Sequence, residues 1–343
     1  MKTAYVVLGM HRSGTSSVAG ALTLLGAAAP RTLMQAAADN PTGFWESEKI
    51  TEFNDEVLHA AGSSWLDWGA LDPAVFSGEH AEHFHSASRW LIRTEFRGAE
   101  TIVLKDPRIC RAYPFWREAL LDSGYAPMVV SPLRPPIEVA ESLFARNGTP
   151  RSLGMRLWLK HVLDAELATR DQPRHLMLWT DFLSDWRGQF EMMANRLCVP
   201  PLPVDDRGAA VDAFLDRDLH RQKARLASEP AYALVERAYA ALSAVAIDGE
   251  STSSRKALDS VRSEFAQLMK LFYDGSLPSL TAAGSPGRLA RAFADRAGLA
   301  GRQGARSPAF GAQGGVAVLQ RRRMGRVRRR QAVVVDLVLF HQP

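Results

Sequence analysis

The sequence predicts an α/β protein, a central parallel sheet with helices on both faces. Three observations predict it. Short apolar, β-prone runs alternate with stretches of helical periodicity, an order that builds parallel strands joined by helical crossovers. The first run, Ala4-Tyr5-Val6-Val7-Leu8, passes through a glycine-bounded loop straight into a helical pattern. Residues able to bind anions stand at the carboxyl ends of three of the runs, where open α/β sheets hold their ligands.

Strands are expected near residues 3–9, 101–105, 126–131 and 175–179. Helices are expected near 14–26, 46–61, 80–97, 111–123, 136–147, 151–170, 181–197, 229–247 and 255–273. In the first helix Val18, Leu22 and Leu25 share a face, and Gly26 stops it. Thr101-Ile102-Val103-Leu104 and the run from Ala126 to Ser131 are short strands. Pro135 or Pro136 opens the helix over 136–147, because proline suits the first helical position. Leu157, Trp158, His161, Val162 and Ala165 form a core face on the helix over 151–170. Leu176 to Trp179 make the last strand, and Asp181 reads as the N-cap of the following helix.

The loop after the first strand is Gly9-Met10-His11-Arg12-Ser13-Gly14-Thr15-Ser16. Strand, glycine-bounded loop and helix N-terminus together bind phosphate, because unpaired backbone N–H groups and the positive end of the helix dipole meet there. Gly9-x4-Gly14 fits the phosphate-loop frame, but the lysine position holds Thr15 and the cation stands at Arg12. A nucleoside-triphosphate loop needs that lysine on the β/γ-phosphates, so hydrolysis of ATP or GTP is disfavoured.

Arg12-Ser13-Gly14-Thr15-Ser16 after a strand resembles the 5′-phosphosulfate loop of sulfotransferases that use 3′-phosphoadenosine 5′-phosphosulfate (PAPS). A second resemblance lies after the third strand. Arg134 and Ser142 have the spacing of the arginine and serine with which that family holds the 3′-phosphate. A third is Lys105-Asp106-Pro107, similar to the run in tyrosylprotein sulfotransferases whose lysine stabilises the transferring sulfuryl group. Cytosolic steroid and phenol sulfotransferases have a catalytic histidine where this chain has Pro107, so the base has to come from elsewhere. The segment Asn40 to Ser47 is similar to one in bacterial members, and its Glu46 corresponds to the glutamate that takes the acceptor proton in carbohydrate and tyrosylprotein enzymes. Flanking Phe44 and Trp45 would desolvate Glu46 and raise its pKa toward a useful range. Glu48, Glu52 and Asp106 are rival bases.

The resemblance covers about residues 3–197 and implies a three-layer P-loop-like fold with additional C-terminal helices. It implies transfer of a sulfuryl group from PAPS to an acceptor hydroxyl, without a metal. Glu46, Lys105 and Arg12 are the expected catalytic residues. Arg12, Ser13, Gly14, Thr15, Ser16, Arg134 and Ser142 are the expected cofactor-binding ones. The acceptor stays open among glycan, lipid, phenol and peptide hydroxyls, and Trp65 and Trp68 either stack on a sugar or pack in the core.

Composition bounds the alternatives. The 343 residues are 46% hydrophobic, enough for one large α/β domain or two smaller ones. Two cysteines, Cys110 and Cys198, give neither a disulfide framework nor metal spacing, which fits a reducing compartment and a cytoplasmic location. His80, His83 and His85 read as solvated rather than metal-bound. No apolar stretch is long enough to span a membrane. Residues 276–343 contain twelve Arg and no Lys against Asp295 and Asp336, so they carry +10 and leave −5 for the domain over 1–275. Three readings fit this Arg/Gly/Ala-rich tail: nonspecific contact with nucleic acid or anionic membrane, a solvated low-complexity end, or a shifted-frame product. The rival functions are a P-loop kinase or NTPase lacking its usual lysine and a nucleic-acid-binding protein acting through the tail.

Overall fold

The computed structural model describes residues 2–37, 40–215 and 230–273. Four parallel strands, β1 (Lys2–Val7), β2 (Thr101–Lys105), β3 (Tyr125–Leu133) and β4 (Arg174–Leu178), form one sheet in the order β2-β1-β3-β4. Alternate residues leave opposite faces of a strand. Ala4, Val6, Ile102, Leu104 and Val129 accordingly enter one core, and Tyr5, Val7, Val103, Val130 and Met177 the other. Pro127 lies before pairing with β4 begins at Val129, and Pro132 lies after pairing with β1 ends at Val130. Each proline thus sits where one neighbouring strand is absent and its missing N–H costs no ladder bond.

Between β1 and β2 come α1 (Thr15–Leu24), α2 (Glu48–Ala60), a 3₁₀ turn (Pro73–Phe76) and α3 (Gly78–Phe96). α4 (Ile109–Asp122) links β2 to β3, and α5 (Pro136–Asn147) with α6 (Arg151–Thr169) links β3 to β4. The chain then forms α7 (Trp179–Ser184), α8 (Trp186–Leu197), α9 (Val204–Phe214), α10 (Pro230–Asp248) and α11 (Thr252–Tyr273). The α/β class and the flanking helices are as the sequence predicts. The first strand after β1 lies on one side of it and the next on the other, so the crevice at the carboxyl ends of β1 and β3 is the topological switch point.

Three expectations need correction. The helix over 181–197 is two helices, divided at Asp185, whose side chain accepts from the Gly188 N–H (3.0 Å) and caps α8. Asp181 is not an N-cap: the chain turns helical at Trp179, two residues earlier, and Asp181 lies in the first turn, where its charge still suits the dipole. α9 was not expected. Only Val211 and Gly208 of its residues are buried, so it shows almost no apolar periodicity, yet its last residue, Phe214, covers Gly20 of α1. The tail over 276–343 lies outside the described residues.

The C-terminal helices are tied to the sheet by a buried ionic cluster. The Glu166 carboxylate, 4% exposed, accepts from Arg170 (2.8 Å), Arg262 (2.6 Å) and Arg174 (3.3 Å). Burial alone would raise its pKa, but the hydrogen bonds from Arg170 and Arg262 win and hold it below the ordinary range. Removing one partner of such a group strands the others, so Glu166→Ala is expected to cost about 3–5 kcal/mol in urea unfolding at neutral pH. Because the folded-state pKa is depressed, the contribution is complete above the ordinary glutamate range and is lost as pH falls through the folded value. Wild type should therefore lose stability on acidification more steeply than Glu166→Gln. Parallel pH dependences would contradict this.

Candidate functional site

The loop Leu8–Gly14 leaves β1 and is held open by backbone conformation. Arg12 (φ 70°) and Gly14 (φ 89°) are both left-handed, on either side of Ser13. This makes a concave nest of amides that runs into the first turn of α1, where no side chain caps the helix. A Cβ on Gly14 would lie 2.3 Å from the Trp179 ring, so the position admits only glycine. At the start of the loop, the Gly9 N–H donates to the Cys110 sulfur (3.2 Å), and burial pushes that thiol up to about 12. Cys110 is therefore a packing group here and not a nucleophile.

Three of the expected phosphate ligands converge. Arg12 Nε donates to Ser142 Oγ (2.8 Å), and Arg134 Nη1 donates to the Arg12 carbonyl (3.1 Å). Pro136 is the first residue of α5, and Ser142 follows on the helix face turned to the loop. Arg134 Nε donates to Glu138 (3.1 Å).

On the other side of the loop, Lys105 ends β2. Its ammonium pairs with the Glu46 carboxylate and also donates to Phe44 O (3.0 Å) and Ser16 Oγ (3.2 Å). Lys105 and Glu46 are each 4% exposed. Burial raises the Glu46 pKa, and the Lys105 charge offsets only part of this. Glu46 is aimed inward by a strained turn. Trp45 is left-handed (φ 58°), anchored by its Nε1 donating to Thr42 O (3.1 Å) and by its edge against Phe214. Ser47, next in sequence, caps α2 by accepting from the Ile50 N–H.

Both ends open into one cavity of about 310 Å³. Among the described residues Arg12, Lys105, Arg134 and Arg146 line it, against the carboxylate of Glu46. Gly14, Thr15, Ser16 and Ser142 line it too. Ser13 does not: its N–H is spent on Met10 O (3.1 Å) and its hydroxyl is buried. The rival bases are elsewhere. Asp106 is fully buried and accepts from Thr51 Oγ1 and from the Arg108 N–H and guanidinium, while Glu48 and Glu52 are exposed on α2. Trp68 is a core residue against Phe265, and Trp65 packs its ring edge on His11 (5.0 Å).

Sequence reasoning missed His11, Trp179 and Arg146 in the cavity wall. Burial and the nearby charges of Arg108, Arg146 and Lys105 push the His11 pKa well down, so it is neutral, and its Nε2 is buried without a hydrogen-bond partner. Arg146 had a legible signal, since it follows Ser142 by one helical turn. Among the described residues no group of three His, Cys, Asp or Glu could hold a metal ion, and no helix is long and apolar enough to cross a membrane.

No family model matches the chain, and no curated protein matches it. Two solved structures are similar to it. One is the sulfotransferase domain from the Synechococcus PCC 7002 olefin synthase, 13% identical with a TM-score of 0.40, covering 70% of this chain and 96% of that one. The other is the sulfotransferase domain from the curacin biosynthetic pathway, 13% identical with a TM-score of 0.35, covering 68% and 82%.

Gly14→Ala is expected to cost at least about 1–2 kcal/mol for the left-handed backbone, plus the clash with Trp179. In a double-mutant cycle, Gly14→Ala with Trp179→Ala should be less damaged than the sum of the two single losses. Strictly additive losses in chemical denaturation would contradict the close approach.

Proposed function

We propose that this protein is a sulfotransferase that transfers a sulfuryl group from PAPS to an acceptor hydroxyl. The observation that carries this reading is the single cavity at the N-terminus of α1 with a buried Lys105–Glu46 pair at one end and the Arg12–Ser142–Arg134 cluster at the other. The donor set fits a polyanion. Four cations and the open amides of the first turn of α1 face the cavity.

When bound, PAPS supplies an activated sulfuryl group. The amides of Thr15 and Ser16 and the Arg12 guanidinium would hold its 5′-phosphosulfate, and Arg134 and Ser142 its 3′-phosphate. Lys105 Nζ offers a fixed positive charge where negative charge develops during transfer. Glu46 takes the proton of the acceptor hydroxyl at a carboxylate oxygen, and its raised pKa makes it a stronger base than an exposed glutamate. A carboxylate beside Lys105, with Pro107 in the cavity wall, favours the carbohydrate- or tyrosylprotein-like type over the type with a histidine base. A phosphate-loop NTPase fits less well: Thr15 replaces the lysine, and Asp106, the one candidate for Mg²⁺ after a strand, is occupied by Arg108 and Thr51.

Glu46→Gln should lower kcat by about 10²–10⁴ while binding of adenosine 3′,5′-bisphosphate stays nearly constant. In wild type the rate should fall as pH drops through the raised Glu46 pKa, above the ordinary glutamate range, and this acid limb should vanish in Glu46→Gln. An unchanged kcat or an unchanged limb would exclude Glu46 as the base. Arg12→Ala should remove about 1.5–3 kcal/mol of transition-state stabilisation, read as a loss in kcat/KM. A near-wild-type value would remove Arg12 from the site.

A further inference from the structure

Charge around Arg134 does not balance a phosphate by itself. Arg134 Nε is bonded to the Glu138 carboxylate (3.1 Å), and both side chains are nearly buried. The Arg134 guanidinium is therefore shared between Glu138 and the Arg12 carbonyl. The same wall of the cavity carries one more cation, Arg146. Residues four apart on a helix share a face, so Arg146 stands one turn beyond Ser142 on the side of α5 that Ser142 turns toward the phosphate loop.

The position of Arg146 is built and not incidental. Its guanidinium lies over the Trp65 ring at 6.0 Å from the centroid, and Trp65 in turn meets the His11 ring at 5.0 Å. His11 belongs to the phosphate loop, so the aromatic platform under Arg146 is registered to the loop itself. The segment that carries Trp65 is fixed by Arg111, which is buried and donates to Ser63 Oγ (3.0 Å), Asp67 O (2.8 Å) and Gly69 O (2.6 Å). Burial first and then the surrounding cations push the His11 pKa well down, so it does not add a competing charge next to Arg146.

Resting on the PAPS reading above, we propose that Arg146, seated on Trp65, is a specificity residue for the 3′-phosphate, one further cation on the wall that Arg134 and Ser142 share. The consequence is discrimination. A ligand with a phosphate on the ribose 3′ oxygen gains from Arg146, and the same nucleotide without it does not.

The test is isothermal titration of full-length wild type, Arg146→Ala and Trp65→Leu with two ligands, adenosine 3′,5′-bisphosphate and adenosine 5′-monophosphate. Arg146→Ala should weaken the bisphosphate about tenfold, the size of one charge-assisted contact, and change the monophosphate less than about twofold. Trp65→Leu, which keeps an apolar side chain and removes the ring under the guanidinium, should weaken the bisphosphate severalfold with the same selectivity. A thermal melt of each variant confirms that the fold is kept. Equal losses for both ligands, or wild-type affinity of Arg146→Ala for the bisphosphate, would overturn the assignment while leaving the PAPS reading standing. A wild-type protein that binds neither nucleotide overturns both.

Discussion

The site depends on one interaction, the buried pair between Lys105 and Glu46. Taking two opposite charges out of water costs several kcal/mol each, and mutual attraction recovers that only where further hydrogen bonds complete the arrangement. Here the completing groups are the Phe44 carbonyl and the Ser16 hydroxyl, both within hydrogen-bonding distance of Lys105 Nζ. Ser16 itself donates to Phe44 O, so the first turn of α1, the end of β2 and the segment before α2 close on each other through one ammonium group. Replacing the pair by apolar residues would pack at least as well, and its persistence in a cavity wall is a reason to read it as chemistry rather than stability.

Backbone strain follows the same geography. Among the described residues four that are not glycine have positive φ: Arg12, Trp45, Arg97 and Cys198. Arg97 and Cys198 end helices, where a left-handed residue is an ordinary stop. Arg12 and Trp45 end nothing. One turns the phosphate loop, the other turns Glu46 inward, and both face the same cavity or flank a residue that does. Strain concentrated at two points on either side of one cavity is the pattern expected where a surrounding scaffold fixes a site in advance.

Much of this was legible in the sequence. The four strands were, because each is a short apolar run whose alternate residues enter two different cores. So was the meeting of residues 9–16, Lys105 and Arg134 at one edge, because a parallel sheet brings the ends of β1, β2 and β3 together there. What the sequence could not do was exclude the rivals to Glu46: Asp106, Glu48 and Glu52 have the right chemistry, and only tertiary placement shows Asp106 occupied by Arg108 and the two glutamates facing solvent on α2. α9 escaped because a helix that buries so few of its own residues leaves no period to find, and Asp181 misled because a carboxylate suits both the N-cap and the first turn. Arg146 was readable as Ser142 plus one turn, but its seat on Trp65 joins segments far apart in the chain.

The measurement that bears most directly on the central claim is a ligand-dependent thermal shift of the full chain with adenosine 3′,5′-bisphosphate against ATP–Mg²⁺. A ligand that binds the native site at 100 times its dissociation constant stabilises by about 2.7 kcal/mol. A shift of that order is expected with the bisphosphate and a much smaller one with ATP–Mg²⁺ at equal concentration. A larger shift with ATP–Mg²⁺, or none with the bisphosphate, would contradict the claim.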